Sequence, residues 1–157
     1  MPGIALERAQ KIASEVVKRL SPCCQRIEVA GSIRRKSPHP RDIDLVLIPS
    51  DRPCIDAILM RLGSLKMAGM KIARVQMESI SLDIYFATPE TFATLFLIRT
   101  GSAGNNIRLC SVAKRMGWHL AASGDGLFNE KGERIAGDSE ESIYSALGLS
   151  YQAPEAR

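Results

Sequence analysis

The segment that decides the fold runs from Gly31 to Ile48 and reads GSIRRKSPHPRDIDLVLI. A Gly-Ser turn opens it, a basic loop with two prolines follows, and an alternating strand closes it. Because side chains alternate between the faces of a strand, Asp42 and Asp44 should share one face and the apolar residues next to them the other. Two like charges on one face repel each other unless a cation lies between them. Mg²⁺ prefers carboxylate and phosphate oxygens, so this segment predicts a nucleotide site, with the nearby Ser32, Arg34 and Arg35 as candidates to hold the phosphates.

Length and composition are those of a globular domain, and the positive net charge favours an anionic partner without requiring one. The chain has 157 residues, of which 45% are hydrophobic and 24% are charged, and its formal net charge is +4. This is enough for one domain with a real core, with or without a small appendage. No leader pattern or membrane-length apolar run occurs, so we expect a cytoplasmic protein without a membrane partner.

The cysteines do not form a metal-binding or disulfide pattern. Cys23, Cys24, Cys54 and Cys110 contain no C-x-x-C spacing, and only two histidines accompany them. The pattern argues against zinc and favours reduced thiols over a disulfide framework.

The apolar spacing predicts an α/β fold in the first part of the chain. Helical and alternating patterns recur in turn and give a small mixed sheet flanked by helices. The predicted elements are a helix over 5–20, strands over 26–30 and 42–48, a helix over 54–67, and strands over 70–77 and 79–86.

The remaining part of the chain predicts a small α+β subdomain. Helices are expected over 91–98 and 106–116, a strand at 118–120, a hairpin at 126–132 and a last helix from 139. We place the division at 88/89, which gives a first domain of residues 1–88 and a second of residues 89–157.

A third carboxylate completes a set for nucleotidyl transfer. Asp83 lies in the strand over 79–86, and a site for two metal ions needs a third acid beside Asp42 and Asp44. Two Mg²⁺ ions, which Mn²⁺ can replace, would neutralise triphosphate charge and activate the attacking hydroxyl. No Walker-type loop and no Ser-His-Asp or Cys-His arrangement competes with this interpretation.

A stretch without acids suggests a track for nucleic acid. From Thr91 to Gly124 there is no Asp or Glu. Its basic residues are candidates for contact with a phosphate backbone, and they are Arg99, Arg108, Lys114 and Arg115.

These motifs resemble the nucleotidyltransferase superfamily typified by DNA polymerase beta, and specifically family X DNA polymerases. The segments that carry the resemblance are Gly31-Ser32-Ile33-Arg34-Arg35, Asp42-Ile43-Asp44 with Asp83, Thr100-Gly101-Ser102 with Asn106, Ser139 to Tyr144, and Leu147 to Arg157. They follow the family's order and cover nearly the whole chain. The resemblance implies a nucleotidyltransferase palm followed by a thumb-like subdomain that binds the nascent base pair.

The resemblance also implies roles for individual residues. Asp42, Asp44 and Asp83 would be the catalytic metal ligands, and Asn106 would contact the incoming base or the template minor groove. The full set expected at the nucleotide is Gly31, Ser32, Arg35, Arg41, Gly101 and Asn106. The chain begins where the palm begins, so we expect a reduced polymerase without the family's lyase and helix-hairpin-helix regions.

Four positions depart from the family pattern. Ile98 and Arg99 stand where the family often has an aromatic pair that rejects ribonucleotides. Cys110 replaces a common arginine on the helix that carries Asn106. Ser81 replaces an arginine that often precedes the third aspartate. We therefore expect nucleotidyl transfer to be retained and the contacts with the sugar and with DNA to be altered.

The sequence predicts a template-directed DNA polymerase. It would add nucleotides to a primer 3′-hydroxyl, release pyrophosphate and act in short-gap repair. We expect a monomer, with primer-template or gapped DNA and deoxynucleoside or ribonucleoside triphosphates as partners. Two alternatives stay open. One is a template-independent nucleotidyltransferase that acts on nucleic acid, protein or a small molecule, and the other is a non-catalytic nucleic-acid-binding module.

Overall fold

A computed structural model describes residues 2–157 of the chain. It contains six α-helices, which are α1 (Leu6–Leu20), α2 (Gly31–Arg34), α3 (Arg52–Leu62), α4 (Phe92–Thr100), α5 (Ala103–Arg115) and α6 (Glu140–Ala146). It contains eight strands, which are β1 (Cys24–Val29), β2 (Asp42–Pro49), β3 (Ser64–Ala68), β4 (Ile72–Gln76), β5 (Ser81–Phe86), β6 (His119–Leu120), β7 (Leu127–Phe128) and β8 (Arg134–Ala136). The predicted α/β class, with a mixed sheet and a second α+β part, is confirmed.

The first five strands form one mixed sheet in the order β1-β2-β5-β4-β3. Strands β2 and β5 are parallel neighbours at its centre, and the other pairs are antiparallel. A parallel pair needs a crossover connection, and here α3, β3 and β4 lie between the two strands in the chain.

One face of this sheet carries the main core. Ile43, Leu45 and Leu47 of β2 are fully buried against the amphipathic helices α1 and α3. Full burial of each such side chain stabilises the fold by about 1.5–3 kcal/mol. Because the strand alternates, the other face presents Asp42 and Asp44 at one end of β2.

The second part of the chain packs partly on that other face. Helix α4 covers the end of β2 and β5 through a cluster that includes Val46, Tyr85, Phe92 and Leu95. A separate core joins α4, α5 and α6 to the three-stranded sheet β6-β7-β8. The aspartates lie toward the other end of β2 and β5, on a part of this face that the cluster does not cover. The predicted division at 88/89 stays a prediction.

The predicted helix over 54–67 is wrong in its last part. Helix α3 ends at Leu62, and Ser64–Ala68 forms the edge strand β3 paired with β4. The turn is possible because Gly63 packs where a Cβ atom would overlap the carbonyl of Gln76. Leu65 continues the helical spacing of α3, but pairing with β4 takes its backbone into the sheet.

The expectation of reduced thiols is wrong for one pair. Cys23 and Cys54 form a disulfide, whereas Cys24 and Cys110 are free. The fold brings the Cα atoms of the pair to 6.0 Å, within bridging range, although 31 positions separate them in the chain. Sequence spacing alone does not reveal such a contact. Within residues 2–157, no helix has the length and apolar character needed to cross a bilayer.

Candidate active site

Three aspartates meet at the centre of the open sheet face. Asp44 of β2 lies directly opposite Asp83 of the parallel strand β5, and Asp42 lies opposite Ser81. Since residues two apart on a strand share a face, all three carboxyl groups lie on the same side of the sheet. The structure thus brings together the three acids that the sequence predicts as a set.

The electrostatics of the three acids reflect their proximity and burial. Burial, together with the charges of Asp42 and Asp83, raises the pKa of Asp44 to about 7. Burial and the charge of Asp83 also raise the pKa of Asp42. The hydroxyl of Tyr85 donates a hydrogen bond to Asp44 at 3.5 Å. Like charges that repel one another in this way are stabilised by a cation that lies between them.

Gly31 is required by the position of Asp44. A Cβ atom on Gly31 would overlap the Oδ2 atom of Asp44, and its φ of +62° lies in the region that favours glycine. Next to it, the Oγ atom of Ser32 is buried and has no hydrogen-bond partner. Buried hydroxyl groups are rarely left unpaired in a native structure, so this one is available for a ligand oxygen.

Asp83 has a basic partner that the sequence analysis missed. The Nε atom of Arg74 donates to Oδ1 of Asp83 at 2.6 Å, and its Nη2 atom lies 3.4 Å from Oδ2. Arg74 lies directly opposite Asp83 on the neighbouring strand β4. One signal was present, because Arg74 is the single charged residue in the alternating segment from Ile72 to Gln76.

The donor set fits a divalent cation, although the side chains are not gathered around one point. Among residues 2–157 there is no group of three or more His, Cys, Asp or Glu arranged to hold a metal ion. The chemistry is nevertheless that of a hard-cation site, since three carboxylates share one face with an unpaired hydroxyl beside them. The ion pair with Arg74 occupies the oxygens of the third ligand, Asp83.

Two arginines join the site to the C-terminal end of α4. The Nη1 atom of Arg35 donates to the carbonyl of Thr100 at 2.6 Å and lies beside Gly101, which is buried. The guanidinium of Arg99 lies 4.2 Å from the ring centroid of Tyr85, and its Nε atom is buried without a partner. Arg99 also contributes a positive charge that lowers the pKa of Asp44, against the larger effect of burial.

The other predicted contact residues lie farther along the second part of the chain or on the surface. The amide of Asn106 donates to the carbonyl of Ile98 at 2.8 Å, and its Oδ1 atom is buried without a partner. Arg108 is exposed and donates to Gln152, while Lys114 and Arg115 are exposed at the end of α5. Arg41 is exposed just before β2.

A buried ion-pair cluster connects α2 with the C-terminal part of the chain. Both Nη atoms of Arg34 lie 2.7 Å from the carboxylate oxygens of Glu140, and Arg157 donates to the same carboxylate at 3.0 Å. Burial alone would raise the pKa of Glu140, but the hydrogen bonds from Arg34 and Arg157 hold it below its usual value. All three residues belong to the motifs that carry the resemblance. Arg34, a candidate phosphate contact from its place in the sequence, instead has its Nη atoms bound to Glu140 and Thr100.

Known proteins that are similar to this chain include DNA polymerases of the beta type. Residues 95–157 match the family described as DNA polymerase beta thumb. Polymerase beta of Leishmania infantum in a ternary P/T complex is 18% identical, with a TM-score of 0.80, over 99% of this chain and 76% of that chain. The same polymerase in a ternary gap complex is 17% identical, with a TM-score of 0.85, over 99% and 70%. No curated protein shows significant similarity to this chain. The predicted resemblance is confirmed in the fold: the chain has a family X polymerase-like fold, and its C-terminal part matches the thumb of DNA polymerase beta.

Proposed function

We propose that the protein is a template-directed DNA polymerase that adds nucleotides to a primer 3′-hydroxyl and releases pyrophosphate. The observation that carries this proposal is the placement of Asp42, Asp44 and Asp83 on one sheet face, with Asp44 packed against Gly31. The buried hydroxyl of Ser32, which follows Gly31 in the chain, has no hydrogen-bond partner among the described residues. Phosphoryl transfer depends mainly on positioning and charge stabilisation, and this arrangement offers both.

The residues divide the work according to their position. Asp42 and Asp44 would hold both metal ions, and Asp83 would complete the site of the ion that activates the 3′-hydroxyl. Magnesium bound there would neutralise phosphate charge and lower the pKa of the attacking hydroxyl. The hydroxyl of Ser32 can donate to a phosphate oxygen, and so can the guanidinium of Arg35, of which one nitrogen donates to the carbonyl of Thr100.

The second part of the chain supports nucleic acid as the substrate. Its residues 95–157 match a polymerase thumb, and the two similar solved structures are ternary complexes of a polymerase with its substrates. One of those is a gap complex, which supports our proposal that this protein fills short gaps in DNA repair. Exposed Arg108, Lys114 and Arg115 would contact the phosphate backbone.

A primer-extension assay with purified protein and Mg²⁺ tests the proposal. We expect Asp83→Ala to abolish extension, because the third acid is lost. Asp56→Ala is the matched control, since it removes an aspartate paired only with Arg52 on the core side of the sheet. Extension by Asp83→Ala at the rate of the wild-type protein would refute the assignment of Asp83 to catalysis.

The choice of substrates decides the finer points. Templated, gapped, blunt and single-stranded primers should be compared, each with deoxynucleotides and with ribonucleotides. Extension restricted to templated primers supports our proposal, with a gapped primer expected to be best. Addition to single-stranded primers would instead indicate a template-independent transferase. Binding without addition would indicate a non-catalytic module.

A further inference from the structure

The ion pair between Arg74 and Asp83 lies at the centre of the proposed active site. Asp83 is buried, and the forked guanidinium of Arg74 reaches both of its oxygens. Such a bidentate arrangement uses the same lone pairs that a metal ion would need. While it persists, Arg74 competes with a cation for the oxygens of Asp83.

Arg74 is held by this one contact. Within residues 2–157, the guanidinium donates hydrogen bonds to no acceptor other than Asp83. Its side chain is 47% exposed, whereas that of Asp83 is 9% exposed. Water can therefore solvate a released Arg74, and an ion pair with one exposed partner is weak enough to be displaced.

A released Arg74 would remain beside the aspartates on the open face of the sheet. It lies on β4, next to Gln76 and Ser81 at the end of the face that α4 does not cover. A free guanidinium presents five donors and binds phosphate well. The phosphate of a nucleic-acid strand that enters the site is a partner with the opposite charge.

We propose that Arg74 is a positioning residue that holds Asp83 until a divalent cation replaces it, after which Arg74 binds a phosphate of the nucleic-acid strand. Metal binding and nucleic-acid binding are then coupled, because each one favours the released form of Arg74. This inference rests on the proposed function, but its tests measure binding and need no turnover.

The first test is a Mn²⁺ titration of the protein without DNA, followed by the electron paramagnetic resonance signal of free Mn²⁺. Arg74→Gln removes the competing cation, and we expect it to bind Mn²⁺ about fivefold more tightly than the wild-type protein. Arg61→Gln is the matched control, because Arg61 is an exposed residue of α3 whose side chain makes no ion pair or hydrogen bond within residues 2–157. Arg74→Lys keeps the positive charge but not the bidentate geometry, so its Mn²⁺ affinity should lie between those of the wild-type protein and Arg74→Gln.

The second test measures binding of a fluorescent single-stranded oligonucleotide by anisotropy, with and without Mn²⁺. In the wild-type protein and in Arg61→Gln, we expect Mn²⁺ to tighten oligonucleotide binding by about fivefold. In Arg74→Gln this tightening should be largely lost. Thermal melting establishes that each variant is folded.

Two results would overturn the proposal. One is equal Mn²⁺ affinity for Arg74→Gln and the wild-type protein, including the case in which neither binds Mn²⁺. The other is full Mn²⁺-dependent tightening of oligonucleotide binding by Arg74→Gln. If both binding tests agree with expectation but no primer is extended, the role of Arg74 stands and the polymerase proposal fails. If primers are extended but the Mn²⁺ affinity of Arg74→Gln is unchanged, the polymerase proposal stands and the role of Arg74 fails.

Discussion

Replacing Glu140 by glutamine should weaken the ion-pair cluster that joins α2 to the C-terminal part of the chain. The carboxylate accepts hydrogen bonds from Arg34 at 2.7 Å and from Arg157 at 3.0 Å. Glu140→Gln keeps the size of the side chain but removes the negative charge. Two arginines would then face each other with no anion between them.

The cost of this substitution follows from the burial of the cluster. The side chain of Arg157 is fully buried, that of Glu140 is 8% exposed and that of Arg34 is 18% exposed. Removal of one partner from a buried ion pair costs about 3–5 kcal/mol. Because the glutamine oxygen can still accept one hydrogen bond, we expect a loss of about 3 kcal/mol. For a domain of this size, that loss lowers the melting temperature by about 6–12 °C.

Urea denaturation measures this loss as a change in the free energy of unfolding. Glu141→Gln is the matched control, since Glu141 is an exposed neighbour in the first turn of α6 and its loss should cost less than about 1 kcal/mol. If Glu140→Gln is as stable as Glu141→Gln, the carboxylate does not hold the two arginines together.

The same cluster predicts a pH dependence. The pKa of Glu140 is held below its ordinary value of 4.5, so ionisation of this group stabilises the folded state. That contribution is fully present above about pH 4.5 and is lost as the pH falls through the lowered folded-state pKa. The stability difference between the wild-type protein and Glu140→Gln should therefore shrink in acid. A difference that grows as the pH falls would contradict the sign of this pKa shift.

Three further substitutions test the site and its support. Gly31→Ala should abolish primer extension, because the added Cβ atom would overlap Asp44. Gly132→Ala is the control: Gly132 also has a positive φ, of +78°, but open space around it, so its substitution should cost only the backbone strain of about 1–2 kcal/mol. Ser32→Ala should raise the KM for nucleotide without lowering stability in urea, because the hydroxyl has no partner in the protein; a loss of stability with an unchanged KM would refute this. Cys54→Ser should lower the free energy of unfolding by about 3–4 kcal/mol, because the disulfide closes a loop of 31 residues. Reduction of the wild-type protein should have the same effect, whereas Cys110→Ser should leave the free energy of unfolding unchanged.

The alternation of β2 made half of the site predictable. Acidic and apolar residues alternate from Asp42 to Leu45, so a strand with one buried face already places the two aspartates together. Asp83 could be added because nucleotidyl transfer needs a third acid, and its strand also alternates. What the pattern could not predict is the register of β5 against β2, which places Asp83 directly opposite Asp44.

Contacts between distant residues were beyond the reach of the sequence. The pairing of Arg74 with Asp83 depends on which strand lies next to β5, and the bridge from Cys23 to Cys54 depends on how α3 packs. Strand β3 was mistaken for the end of a helix because its apolar spacing fits both structures.

The sequence by itself determined the alternation of the strands, the amphipathic helices and the residues that can carry nucleotidyl transfer. These properties are local, because they depend on side-chain periodicity and on the chemistry of single residues. Only the tertiary structure decided which charges meet: Arg74 with Asp83, and Glu140 with both Arg34 and Arg157. Such pairings depend on strand order and helix packing, which arise from the burial of the whole core rather than from any one segment.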